Sequence, residues 1–282
     1  MRTLILNSTN VSPSQTNKYV FNFLGSGVSF EKGDTIALAS INVLYSWYNI
    51  TSLLGNNLFS YSIRGRTYPV LIPDGFYSIS DLNAILQFTL VENGHYLVQS
   101  VGTGSINWYP LAISTNSTYY SIQLTCNPIA VTLPIGFTNP ANVFYNTISF
   151  TAPTTPLFII GDNAFQSIIG INAGKYPSVS QATIYNTLST VCPQVSPVQN
   201  IIVRCNLCNN TFANPSDILY TFTPQNVEFG SNIFIQNPTL SMIDIKAGNF
   251  QSITIELVDQ NYNKIRMNDT NVCIQLVIQS AN

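Results

Sequence analysis

Two segments near the C-terminus decide how this chain is read: Gln251-Ser252-Ile253-Thr254-Ile255-Glu256-Leu257-Val258 and Asn271-Val272-Cys273-Ile274-Gln275-Leu276-Val277-Ile278-Gln279. In both, apolar and polar residues alternate with period two. Val272, Ile274, Leu276 and Ile278 make one continuous apolar face. That period belongs to a half-buried β-strand, because successive side chains leave a strand on opposite sides. The turn-rich segment Asp259-Gln260-Asn261-Tyr262-Asn263 follows the first strand and reads as a hairpin connection between the two.

Moving outward, 199–208, 217–223 and 232–236 alternate in the same way. Tyr19, Phe21 and Phe23 share a face over 18–24. Residues 35–46 make a long strand with Ile36, Leu38 and Leu44 opposite Ala37, Ile41, Val43 and Tyr45. Apolar residues on both sides predict a strand covered on both faces. Further strands are predicted at 57–63, 96–101, 109–113, 119–124, 144–150 and 157–160. Pro128, Pro134, Pro140, Pro153 and Pro156 exclude central strands at their own positions. Residues 161–177 read as a short helical turn with a Gly/Pro stop, and 178–198 as a long loop.

One helix is predicted over 79–92. Ser78 is its N-cap and Asp81 takes the capping-box position. Leu82, Ile85, Leu86, Thr89 and Leu90 follow helical spacing, and Asn93-Gly94 ends it. Many short strands with one helix point to an all-β fold, a β-sandwich of the jelly-roll type, with a β-barrel or an immunoglobulin-like tandem as alternatives.

Composition narrows function. Only 8% of the 282 residues are charged, and the net charge is −2, against about 25% charged in an average globular chain. No apolar run approaches the ~20 residues of a membrane-spanning helix, and the sequence is not repetitive. A surface covered by partners is then the expected reason for so few charges. No basic patch or Lys/Arg-rich tail offers itself to nucleic acid. The run Leu4-Ile5-Leu6 is too short for a signal peptide core, and five irregularly spaced cysteines do not form a disulfide framework. Synthesis in the cytoplasm is expected.

Residues that could carry chemistry have simpler uses. Cys205-Asn206-Leu207-Cys208 lacks a second ligand pair for zinc and lies on an alternating strand, so buried structural thiols are expected. His95 stands alone beside the helix stop, with no nucleophile motif near it, and is expected at the surface or as a cap. Asp74, Asp81 and Asp162 sit at turns or helix starts, where carboxylates accept backbone N–H groups. Gly102-Thr103-Gly104-Ser105 lacks the lysine and helix of a phosphate loop. Asp259–Asn263 is explained by a turn rather than a calcium site. Six Asn-x-Ser/Thr sequons, at Asn7, Asn10, Asn49, Asn116, Asn209 and Asn268, follow from the composition. Aromatic residues, 12% of the chain, mostly suit sheet packing, with sugar binding as the other use. No catalytic, cofactor-binding or metal-binding residue is nominated, and no cofactor is expected.

Several segments in order carry a family resemblance. They are Pro73-Asp74-Gly75-Phe76-Tyr77-Ser78-Ile79-Ser80-Asp81-Leu82-Asn83, then Tyr119-Tyr120-Ser121-Ile122-Gln123-Leu124, then Phe165-Gln166-Ser167-Ile168-Ile169-Gly170-Ile171 with Gly174-Lys175-Tyr176-Pro177. Ile202–Leu207, Ile253–Asn261 and Val272–Leu276 complete the set. Together they resemble the vertex (penton) proteins of virophages and polinton-like viruses, although Asn261-Tyr262 stands where a glycine is common. The resemblance implies a single jelly roll with an inserted subdomain containing one short helix. It implies a homopentamer at an icosahedral vertex of the virion. The implied neighbours are trimers of a double jelly-roll major capsid protein, with minor or cement capsid proteins as further partners. It implies no catalysis. On this basis residues 1–64 and 146–282 are expected to form the jelly roll and 65–145 the insertion. Residues 1–17 are expected to form an arm that orders against a neighbour. The alternatives are a carbohydrate- or receptor-binding sandwich such as a viral spike head, or a minor jelly-roll capsid protein away from the vertex.

Overall fold

The computed structural model describes residues 1–129, 133, 135–140, 153–224 and 227–281. The chain divides into two compact units. One comprises Met1–Trp47 and Val198–Asn282, and the other Tyr48–Pro197. In chain order the strands are β1 (Arg2–Asn7), β2 (Val11–Ser12), β3 (Gln15–Asn22), β4 (Val28–Phe30), β5 (Thr35–Leu44), β6 (Leu58–Ile63) and β7 (Arg66–Leu71). Then come helix α1 (Ile79–Glu92), β8 (Leu97–Val101), β9 (Gly104–Trp108), β10 (Leu111–Asn116), β11 (Ser121–Cys126), β12 (Phe137–Thr138), β13 (Leu157–Ile160) and helix α2 (Phe165–Ile169). The chain continues through β14 (Gly174–Tyr176), β15 (Tyr185–Leu188), β16 (Ile201–Cys205), β17 (Ile218–Phe222) and β18 (Asn232–Gln236). It ends with β19 (Ile243–Asp244), β20 (Gly248–Phe250), β21 (Ser252–Asp259) and β22 (Val272–Gln279).

The first unit is a jelly roll. Its eight principal strands, in chain order, are β1, β3, β5, β16, β17, β18, β21 and β22. One antiparallel sheet runs β1-β22-β5-β18, and the other runs β17-β16-β21-β3 with β2 at its edge. Counted along the chain, the orders are first-eighth-third-sixth and fifth-fourth-seventh-second. That winding of two interleaved Greek keys defines the fold. Leu6, Ile36, Leu38, Ile41, Ile274 and Leu276 are buried from the first sheet. Tyr19, Val203, Cys205, Ile253, Ile255 and Leu257 are buried from the second.

The pair of strands that decided the reading is not a hairpin. β21 pairs with β3 and β16, whereas β22 pairs with β1 and β5. Alternation specifies a face for each strand and says nothing about which strand lies beside it. The turn at Asp259 is real. Its carboxylate accepts the N–H groups of Asn261 and Asn263 at 2.8 Å each.

The strand expected to be covered on both faces at 35–46 is so covered at its start, where Ile36, Ala37 and Leu38 are all buried, but its further apolar residues have a different cause. Gln275 pairs with Ser40 but Leu276 pairs with Leu38, so Ala39 is an extra residue, a β-bulge in β5. A bulge inverts the alternation. Ile36 and Leu38 before it, and Ile41 and Val43 after it, therefore face the same core. Residues 1–17 are likewise not an arm. Arg2–Asn7 is the edge strand paired with all of Arg2↔Ile278 through Asn7↔Cys273, and Leu6 is fully buried.

The second unit begins and ends beyond the expected insertion. Its division from the jelly roll falls at 47/48 and 197/198 rather than 64/65, and the expected end at 145/146 lies outside the described residues. The reason is pairing. β6 and β13, which the sequence suggested as jelly-roll strands, pair with each other in the sheet β14-β13-β6-β7 of this unit. The strand expected at 144–150 lies outside the described residues. Two three-stranded sheets complete the unit, β10-β11-β15 and β12-β8-β9.

Helix α1 spans the residues expected of it. Ser78 and Asp81 form a reciprocal capping box, and Ile79, Leu82, Leu86 and Leu90 enter the core. Asn83 Oδ1 accepts the Ile113 N–H at 2.8 Å and ties the helix to β10. The second helix, α2, ends at Gly170. There φ is +69°, and an added Cβ would stand 2.2 Å from the Val191 carbonyl oxygen, so only glycine fits. The long loop expected at 178–198 contains β15, which pairs with β11. Tyr185-Asn186-Thr187-Leu188 is too short for its alternation to stand out among Ser and Thr.

Candidate functional site

Neither sulfur of the CxxC reaches solvent. β16 ends at Cys205, and the Cys208 N–H donates to the Cys205 carbonyl at 3.1 Å, closing a turn over Asn206-Leu207. Both cysteines are fully buried. The Cys205 sulfur beside it, together with burial, pushes the Cys208 thiol up. Cys126, on the core face of β11, is pushed up to about 12 by burial. The hydrogen bond with Cys208 draws the Cys205 thiol down, but burial keeps all three sulfurs from solvent, and they serve as packed thiols. Among the described residues, no three His, Cys, Asp or Glu side chains gather closely enough to hold a metal ion. Among them, too, no helix is long and apolar enough to cross a membrane.

His95 is not at the surface. Its backbone N–H closes the end of α1 on the Leu90 carbonyl at 2.7 Å, while its ring is fully buried. Nδ1 lies 2.8 Å from the Tyr61 hydroxyl, and the Tyr61 and Tyr68 rings stand at 5.6 and 4.5 Å, nearly perpendicular to it. Burial lowers the imidazole to about 4 and raises the Tyr61 hydroxyl, so both partners of this hydrogen bond are neutral. The sequence signal missed was the ring's place after a C-cap, where the chain turns back into the core.

Asp74 and Asp81 accept backbone N–H groups, as expected for their positions, whereas Asp162 takes a side-chain amide. Asp74 accepts the Ser52 N–H at 2.7 Å, Asp81 accepts the Ser78 N–H at 2.8 Å, and Asp162 accepts from the Gln166 amide at 3.1 Å. Gly102 sits at φ +58° in the β8–β9 hairpin. These acids and this glycine loop are not brought together.

What stands out is the contrast between the two outer faces of the jelly roll. On the β17-β16-β21-β3 sheet, Lys18, Glu256 and Arg204 lie in one row across three strands. The Arg204 guanidinium contacts Asp217 at 2.7 Å and Glu256 at 3.5 Å. Mutual attraction holds the guanidinium charged. That is a solvated face. On the β1-β22-β5-β18 sheet, register puts Asn7, Cys273, Asn42 and Phe234 in one row and Ile5, Gln275, Ser40 and Gln236 in the next. Thr3, Val277 and Ala37 follow, with Val277 and Ala37 already buried within the chain itself. None is charged. Phe234 and Ile5 are 60% and 55% exposed. Asp244, paired with Thr35 on β19, is the one charge in register with this face among the described residues, and it lies at the margin.

The first unit is thus a jelly roll with a large insertion between its third and fourth strands, and among the described residues the outer face of β1-β22-β5-β18 carries no charge. No family model and no curated protein matches the chain. Among solved structures the chain is similar to the selenomethionine-labelled mavirus penton protein. The identity is 11% and the TM-score 0.44, over 99% of this chain and 98% of that one. It is also similar to a chain of the Sputnik virophage structure at 13% identity and a TM-score of 0.37, over 99% and 98%. TM-scores this low describe a partial likeness of coordinates, and the function has to be argued from this chain's own residues.

Proposed function

We propose that this chain is a structural subunit of an icosahedral viral capsid, and that copies of it close into the pentameric ring of a vertex, without catalytic activity. The observation that carries the reading is the charge-free outer face of β1-β22-β5-β18. A face that packs against a neighbour must lose its water, and a stranded charge there costs several kcal/mol. Interface cores are accordingly poor in charged residues and rich in aromatic ones, as at Phe234. The opposite sheet keeps its ion pairs, so the asymmetry belongs to one face and not to composition alone. A ring uses one heterologous contact repeated until it closes. The sequence resemblance to vertex proteins supports the same reading and adds contacts to double jelly-roll capsid trimers as the outer boundary of the ring.

The test is the oligomeric state of the purified full chain by sedimentation velocity and mass photometry. A closed ring is expected. Gln275→Lys, which puts a charge at the centre of the face without touching the core, is expected to yield folded monomer. A wild-type chain that stays monomeric at high micromolar concentration, or a Gln275→Lys chain that assembles as well as wild type, overturns the proposal.

A further inference from the structure

We propose that Cys205 and Cys208 are a peroxide-sensitive dithiol, which oxidises within the folded chain to a Cys205–Cys208 disulfide and locks the end of β16. The inference concerns the first unit alone and does not depend on ring assembly.

The first observation is apposition. The Cys208 N–H donates to the Cys205 carbonyl at 3.1 Å, so the two cysteines are the first and last residues of a hydrogen-bonded turn. The α-carbons that bound such a turn lie within about 7 Å of each other, which is the reach of a disulfide. The side chains also turn toward each other, because the two sulfurs share a hydrogen bond. Cys273, the third cysteine of this unit, is exposed on the outer face of the other sheet and offers no rival partner.

The second observation is how firmly the turn is held. Asn206 Nδ2 donates to the Ser252 carbonyl at 3.0 Å, and its Oδ1 accepts the Thr254 N–H at 2.8 Å. The Asn206 N–H donates to the Thr254 carbonyl at 3.2 Å. From the other side the Lys246 N–H donates to the Leu207 carbonyl at 2.8 Å, and Lys246 Nζ to the Asn206 carbonyl at 3.2 Å. Side chain and backbone thus fix the turn against β21 and against the segment after β19, and closing the sulfur–sulfur bond asks little further ordering of the chain.

The third observation is a division of roles. The hydrogen bond from Cys208, helped by the Lys246 charge, draws the Cys205 thiol down despite burial, whereas Cys208 is pushed up. Cys126 is also fully buried but donates to the Tyr176 carbonyl at 3.4 Å and is pushed up to about 12. Cys205 is therefore the attacking sulfur and Cys208 the resolving one. The Cys205 thiolate attacks one peroxide oxygen and the O–O bond breaks, giving a sulfenic acid and hydroxide, which takes the proton Cys205 released. Cys208 sulfur then attacks the sulfenic sulfur, and the departing hydroxide leaves as water with the Cys208 proton. Two thiols and one hydrogen peroxide become one disulfide and two waters. Burial sets the class of oxidant. Cys208 is joined to Ile245 by an isolated bridge and is followed by the exposed Asn209, so a local opening admits a small neutral peroxide, while a peptide disulfide is too large to reach either sulfur.

The test uses the full chain carrying Cys192→Ser and Cys273→Ser, which removes the exposed thiols. It is treated at neutral pH with hydrogen peroxide or with glutathione disulfide, unfolded in N-ethylmaleimide and cut with trypsin. One peptide, from Cys205 to Lys246, holds both cysteines. Peroxide is expected to leave that peptide without maleimide, and reduction to restore two reactive thiols. Glutathione disulfide is expected to act at least about tenfold more slowly. Tm is expected to rise on oxidation and to return with a phosphine reductant. Adding Cys208→Ala removes the resolving sulfur, so Cys205 is expected to proceed to sulfinic acid. Two maleimides on the peptide after peroxide, sulfinic acid at Cys205 while Cys208 is present, glutathione disulfide as fast as peroxide, or a Tm that falls on oxidation overturns the proposal. Where Cys208→Ala does not fold, the peptide from the chain that keeps both cysteines decides.

Discussion

Lowering the pH from 7.5 to 5 is expected to weaken the second unit through one residue, His95, the chain's single histidine. The folded imidazole sits at about 4, against an ordinary value of 6.5, because burial disfavours its charged form. Between those two values the unfolded chain binds a proton that the folded chain does not. Stability from this group is therefore complete above pH 6.5 and is lost as pH falls toward 4. Each unit of separation corresponds to ~1.4 kcal/mol, so the whole effect is ~3 kcal/mol, of which ~2 kcal/mol is gone by pH 5. That is a large share of a typical stability of ~5–15 kcal/mol. With one histidine, proton NMR of the imidazole Cε1 proton reports the titration directly, and urea unfolding of wild type and His95→Gln at both pH values reports its consequence. The imidazole is expected to titrate near 4, and wild type to lose more stability than the variant on acidification. A midpoint near 6.5, or equal losses in the two proteins, would refute the argument from burial.

Two further perturbations test the fold. Leu86→Ala, at a fully buried position of α1, is expected to cost ~2–5 kcal/mol, read from urea unfolding, because the packed neighbours cannot all relax into the space. Deleting Ala39 removes the bulge yet keeps Leu38, Ile41 and Val43 on one face, with Leu276, Gln275 and Ile274 still opposite Leu38, Ser40 and Ile41. Retained cooperative unfolding by calorimetry is the expected result, and an unfolded deletion protein would show that the bulge itself holds the sheet together.

Much of this architecture follows from local rules. The capping box at Ser78 and Asp81, the apolar stripe from Leu82 to Leu90 and the stop at Asn93-Gly94 determine α1, because every interaction that bounds it lies within four residues along the chain. The period-two segments of the C-terminal third are strands for the same reason. The scarcity of charge is also a property of the sequence, and it already pointed to covered surfaces. Tertiary structure decided the rest. Strands 252–259 and 272–279 belong to different sheets, β6 and β13 belong to the inserted unit, and the first six paired residues form an edge strand, because pairing is a long-range choice that alternation leaves open. One extra residue at Ala39 changed which way half a strand faces, and no local pattern announces a bulge. The charge-free face of the jelly roll is of this kind: it is assembled from strands far apart in sequence, and it exists only once those strands lie side by side.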